Sequence, residues 1–201
     1  MIDKTAVFKL GYGLFVLTAK NGEKDNGCII NTAMQVADSP VKIAISVNKK
    51  NFTHDMIKQS GEFNLSVLTE DVPFFVFQHY GFKSGRDTDK IIGDSMPRTE
   101  NGIVYLPDYT NAVISCKVIK EVDCVSHTMF IAEITESKVL SDKKSVTYQY
   151  YFDNIKPKPE KPKKKGFVCK VCGYVYEGDE LPDDFICPIC KHTAADFEPI
   201  E

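Results

Sequence analysis

Cys169-Lys170-Val171-Cys172-Gly173-Tyr174 and Cys187-Pro188-Ile189-Cys190, with fourteen residues between Cys172 and Cys187, decide how the end of this 201-residue chain folds. Two residues between cysteines let both sulfurs of a pair converge on one ion. Two such pairs supply the four ligands of a tetrahedral site, suited to zinc or to iron. Closing the loop between them costs modest entropy. Residues 166–201 bury too little apolar area to fold unaided, so a metal supplies the missing cohesion. Spacing alone leaves the metal open, because structural zinc ribbons share it. Tyr174, Tyr176, Phe185 and Phe197 gather aromatics around the site, and Gly173 and Pro188 follow the second and third cysteines.

Upstream, Lys156-Pro157-Lys158-Pro159-Glu160-Lys161-Pro162-Lys163-Lys164-Lys165 has no core-forming residue. Its prolines and like charges predict an extended linker over 156–165, reaching roughly 30 Å. It carries a net +5, whereas residues 166–201 carry −6 and the whole chain −3. With no aromatic or amphipathic pattern beside the lysines, neither nucleic acid nor a membrane surface is expected as a partner. No basic-then-apolar leader opens the chain, and no apolar run approaches the ~20 residues that cross a bilayer. The expected location is cytoplasmic. In that setting the clustered cysteines favour metal over disulfides. The scattered Cys28, Cys116 and Cys124 are expected to act as small core hydrophobes.

Residues 1–155 read mostly as short strands. β-branched and aromatic content marks Gly13–Thr18 and Val41–Val47, and alternation marks Glu62–Leu68, Ala112–Ile119 and His127–Ile134. Helices are expected at Thr53–Gln59 and Val72–Gln78, the second with Asp71 as N-cap and Pro73 near its start. Many strands and few helices predict a mainly β fold, an antiparallel barrel closed or nearly so. No Gly-x-Gly-x-x-Gly follows a strand, which argues against a Rossmann dinucleotide fold. Of His54, His79 and His127, none is spaced as a metal ligand. From the residues alone the content of a site in this barrel stays open.

The string Cys-x-x-Cys-Gly-Tyr-Val-Tyr…Leu-Pro-Asp-Asp-Phe-x-Cys-Pro-x-Cys…Asp-Phe over 166–201 closely resembles rubredoxin. That resemblance implies one iron held by Cys169, Cys172, Cys187 and Cys190, exchanging one electron. The loop between the cysteine pairs is shorter than in free-standing rubredoxins and is similar to that of rubredoxin-like modules fused to larger redox proteins. Four segments together resemble the flavin-reductase-like split-barrel family: Gly11–Thr18, Asn26–Pro40 with Ile43–His54, Phe82–Lys90 and Ser126–Glu133. The implied fold is an FMN-binding split β-barrel over 1–155 followed by a small rubredoxin-like iron domain, with FMN held between the subunits of a homodimer.

On that resemblance, Asn31, Thr32, Ala33 and Gln35 would lie along the isoalloxazine edge, where N–H donors favour the reduced ring. Asn48, Lys49, Asn51 and Thr53 would hold the phosphate, Thr53 from a helix start. Ser84 would close over the cofactor, and His127 would meet nicotinamide or flavin. Ser126 and Ala132 depart from the Asp and Gly usual around that histidine. The two resemblances on one chain are similar to the high-molecular-weight rubredoxins. They imply hydride transfer from NAD(P)H to FMN, electron transfer to iron, and a flavodiiron-type oxygen or nitric oxide reductase as acceptor. The alternative is a relay module whose FMN is reduced by a separate protein.

Overall fold

The computed structural model describes residues 3–91, 95–158 and 166–200. Most of the expected linker, residues 159–165, lies outside the described residues.

Seven strands build the larger sheet: β1 (Phe15–Asn21), β2 (Lys24–Ile30), β3 (Ala33–Asp38), β4 (Val41–Asn48), β5 (Glu62–Leu68), β6 (Thr110–Cys124) and β7 (His127–Val139). Their order is β2-β1-β5-β6-β7-β4-β3, and every pairing is antiparallel. The outermost strands, β2 and β3, are consecutive in the chain but not paired with each other, so the barrel is split along that seam. The 15-residue β6 and 13-residue β7 run past the other strands. Register shifts at Ser115/Cys116 and Val118/Lys120 bend this hairpin, as bulges do by adding an unpaired residue. The bend lets β6 pair with β5 while β7 pairs with β4.

β1 is buried on both faces from Val16 to Ala19, and the polar Thr18 within that stretch donates its hydroxyl to Val104 O at 2.6 Å. Leu17 joins Ile45, Met56, Ile57, Phe63, Leu65 and Phe130 inside the barrel. Val16 points the other way, into a second cluster with Leu68, Val76, Phe77, Tyr80 and Tyr151. Each such side chain contributes roughly 1.5–3 kcal/mol on burial. Between β4 and β5, α1 (Phe52–Ser60) turns Met56 and Ile57 onto the barrel and packs on β1 and β2.

α2 (Phe74–Gly81) begins later than expected. Pro73 is its N-cap, and Asp71 does not cap it. The Asp71 carboxylate is instead engaged by the Thr69 hydroxyl and by Lys143 Nζ at 2.6 Å. Cys28 and Cys116 are buried as expected, but Cys124 is exposed, because β6 has by then left the core. After β7 the chain returns through a helical turn at Tyr148–Tyr150 that widens to π-helix over Tyr151–Ile155. The C-terminal sheet orders β8 (Gly166–Cys169), β9 (Val175–Tyr176) and β10 (Phe197–Ile200) as β10-β8-β9.

Candidate metal centre and flavin cavity

Cys169 ends β8, Cys172 lies in the turn after it, and Cys187 and Cys190 form a second turn of the same build. In the first turn Cys169 N–H donates to Tyr174 O and Gly173 N–H to Cys169 O, both at 2.8 Å. In the second, Cys187 N–H donates to His192 O at 2.7 Å and Lys191 N–H to Cys187 O at 2.9 Å. Each turn needs a left-handed residue after its second cysteine; Gly173 has φ 79° and Lys191 φ 62°.

The four sulfurs lie within 4.8 Å of one another, with Cys169–Cys190 at 3.6 Å and Cys172–Cys187 at 3.4 Å. Metal–sulfur bonds of about 2.3 Å in a tetrahedron put sulfurs about 3.8 Å apart, so the cage fits a single ion. Cys169 and Cys187 are fully buried, and Cys172 and Cys190 form the partly open edges. Phe167, Tyr174, Tyr176, Phe185 and Phe197 close round them.

Backbone N–H groups face the sulfurs. Burial pushes the Cys172 thiol up to about 11, against the pull of the Tyr174 N–H. Burial also opposes ionisation of Cys187, but the N–H groups of Cys190 and Ile189 outweigh it and hold that thiol below its usual range. Such donors stabilise the negative charge of a metal–thiolate centre.

The second feature is a cavity of about 970 Å³ beside α1 and α2. Asn48, Asn51, Thr53 and Ser84 all line it, with Asn26, Cys28, the 81–88 turn and Lys90. Asn26 is buried; its Nδ2 donates to Thr53 Oγ1 at 2.9 Å, and among the described residues its Oδ1 has no hydrogen-bond partner. Gly85 packs against that amide so closely that a Cβ would fall 2.2 Å from Oδ1. Lys90 is 4% exposed and donates to Gly27 O and Tyr80 O, each at 2.9 Å. Desolvation lowers its pKa, and the neighbouring Cys28 opposes that shift. Burial raises the Cys28 thiol, against Thr53, Lys90 and Asn51. At the rim, Lys24 and Arg86 both lie over the Phe52 ring, at 4.9 and 5.0 Å. A wall with an orphaned amide oxygen, a buried ammonium, a helix start and a close-packed glycine turn fits a polar anionic ligand of flavin-nucleotide size.

Other site candidates lie elsewhere. Asn31, Thr32, Ala33 and Gln35 sit at the start of edge strand β3 and do not line the cavity; Thr32 Oγ1 donates to Ser46 O at 2.7 Å and Gln35 is exposed. Lys49 pairs with Asp123 at 2.8 Å. His127 is the ladder partner of Asn48, and its Nδ1 lies 2.9 Å from Ser126 Oγ. Sequence reasoning assigned no role to Asn26 or Lys90, although both fall in the quoted segments. Their burial comes from chain crossings at 27 and 63 residues' separation, which leave no local pattern.

Known proteins resemble this chain over its full length. The flavin reductase like domain matches residues 7–158, and the rubrerythrin, rubredoxin-like domain matches residues 167–198. A high molecular weight rubredoxin of Moorella thermoacetica is 35% identical over 99% of this chain and 100% of its own. A ferric-chelate reductase (NAD(P)H) of Archaeoglobus fulgidus is 35% identical over 75% of this chain and 89% of its own. Among solved structures, the flavin reductase PheA2 superposes with a TM-score of 0.61 and 25% identity, covering 73% of this chain and 93% of that one.

Proposed function

The chain belongs to the high-molecular-weight rubredoxin family, a flavin-reductase-like domain followed by a rubredoxin-like domain, and on that footing we propose that it carries electrons from NAD(P)H through FMN to a four-cysteine iron centre and on to a protein acceptor. The observation that carries this reading is the presence, on one polypeptide, of a single-ion thiolate cage and a large polar cavity in a flavin-reductase-like barrel.

Cys169, Cys172, Cys187 and Cys190 would hold the iron, their backbone turns presenting four thiolates that need not rearrange on electron transfer. FMN, when bound, supplies a carrier that takes a hydride and releases electrons singly. Asn48, Asn51, Thr53 and Ser84 bind and orient it, and Lys90 and Asn26 present a buried cation and a buried amide to its polar parts. Lys49 and His127 lie at the adjoining end of β4 and β7, where His127 would be the side chain to meet the nicotinamide. Asn31, Thr32, Ala33 and Gln35 contribute where a second copy covers β3. A homodimer through this face is supported by the exposed Met34, Val36 and Val41 on and beside that edge, since an uncovered apolar edge invites pairing.

The acceptor in this reading is a flavodiiron-type protein. The +5 linker of residues 156–165, joined to a −6 domain, suits a tether that lets the iron domain move between flavin and acceptor. An anaerobic NADH titration of the purified protein, followed across the visible range, tests the core of the proposal. Bleaching of both flavin and iron is expected. Bleaching only after a separate reductase is added favours the relay alternative, and a colourless thiolate site means zinc.

A further inference from the structure

The cavity has a second wall. Pro188, Ile189, Cys190, Lys191, His192 and Thr193, the turn carrying the fourth sulfur, face the barrel residues across it. Cys190 is the only ligand cysteine on this wall. The first cysteine turn has a different neighbour. Lys170 and Val171 lie against Tyr148, Tyr151 and Phe152, around a smaller cavity of about 690 Å³.

One side chain ties that turn to the barrel. Lys156, the half-buried first residue of the expected linker, sits 4.8 Å over the Phe152 ring and donates its Nζ proton to Lys170 O. A cation held on an aromatic face is already oriented, so its hydrogen bond to the incoming carbonyl costs little further ordering. The barrel side of the cavity carries Lys50, Lys83 and Arg86 beside Asp87, and the iron-domain side carries Asp196 beside Lys191, so charge complements the net charge of the iron domain rather than the facing turn itself.

We propose that the iron domain docks on its own chain's flavin cavity through the Pro188–Thr193 turn, that Cys190 is the sulfur through which electrons enter the iron, and that Lys156 is the latch fixing this register. The proposal rests on the electron-transfer function argued above. Each transfer reduces one ferric centre to ferrous. The two electrons of one hydride therefore fill two centres, or one centre emptied once in between by the acceptor, with one proton released to solvent. Docking at Cys190 leaves the rest of the iron domain's acidic surface for that acceptor once the latch opens.

Stopped-flow mixing of the full-length holoprotein with NADH, reading flavin and iron bleaching separately, tests the latch on Lys156→Ala and Lys156→Arg. Lys156→Ala should leave flavin bleaching unchanged and slow iron bleaching about tenfold or more, the scale on which oriented charges alter encounter. Lys156→Arg, which keeps a cationic donor over Phe152, should restore most of the rate. Hydrogen exchange on the same proteins gives a readout independent of turnover: amides of 189–193 and of 82–88 should lose protection together in Lys156→Ala. Equal iron bleaching and equal protection in Lys156→Ala and the unaltered chain would overturn the docking. Failure of NADH to bleach the flavin at all counts against the proposed function, while the exchange result still decides the docked face.

Discussion

Gly173 and Lys191 occupy the same position in the two cysteine turns, one residue past the second cysteine, and both adopt left-handed backbone, φ 79° and 62°. Glycine takes that conformation freely, whereas a residue with a Cβ is strained there by about 1–2 kcal/mol. The two halves of the cage are therefore built alike but stressed unequally.

Lys191→Gly should stabilise the iron domain by about 1 kcal/mol, and Gly173→Ala should destabilise it by a similar amount. Among the described residues, chain neighbours aside, nothing lies within 4 Å of a Cβ added at Gly173, so backbone strain sets the second effect. The guanidinium midpoint for loss of iron colour reads both, and shifts of opposite sign are expected.

Removing the metal should unfold residues 166–200 and leave the barrel intact. The buried residues of this small domain are few, with Cys169, Cys187 and Phe197 at their centre, and metal binding of this kind contributes on the order of 10 kcal/mol to such folds. Amide NMR after acid stripping and neutralisation should show collapsed dispersion for the iron domain and unchanged barrel signals. Cys190→Ser, which leaves three sulfurs, should abolish the ferric–thiolate colour and release the metal readily.

The cage was legible from sequence because its ligands are local: each Cys-x-x-Cys is one turn, and the turns are fourteen residues apart. The strands were legible from alternation at Glu62–Leu68, whose bounds match β5. Asp71 misled because Pro73 favours a helix start close by, while Thr69 and Lys143 compete for the carboxylate. Cys124 misled because strand content says nothing about where a long hairpin leaves the core. What the sequence hides most completely is the inner wall of the cavity. Lys90 reads as a surface lysine until β2 and α2 bring Gly27 O and Tyr80 O to its ammonium.

That lysine gives a third prediction. Lys90→Met keeps the length of the side chain and removes both hydrogen bonds, leaving two buried carbonyls unpaired at about 1–3 kcal/mol each. Removal of a desolvated ammonium offsets part of this. A net loss of about 2 kcal/mol is expected in the urea midpoint of the barrel, and an unchanged midpoint would mean that the Gly27 and Tyr80 carbonyls find other donors.

The pH dependence of the barrel should carry a signature of Asp55. Its carboxylate accepts a hydrogen bond from His54 Nδ1 at 3.0 Å and pairs with Arg86, while His54 Nε2 lies 2.8 Å from Thr128 Oγ1. The His54 bond, more than the Arg86 charge, holds the Asp55 pKa below the ordinary carboxylate value of 3.8. A carboxyl group whose folded pKa is depressed binds protons more weakly folded than unfolded. Its contribution is thus complete above the unfolded value and is lost as pH falls through the folded one. Asp55→Asn should therefore be less stable than the unaltered chain at pH 6, by a modest margin because the group is 36% exposed. That margin should shrink as pH falls below the unfolded value of 3.8 and close once it has passed through the depressed folded one. Urea midpoints measured across this range check the sign: a margin that stays constant with pH would trace the loss to the shape of the Asp55 side chain rather than to its charge.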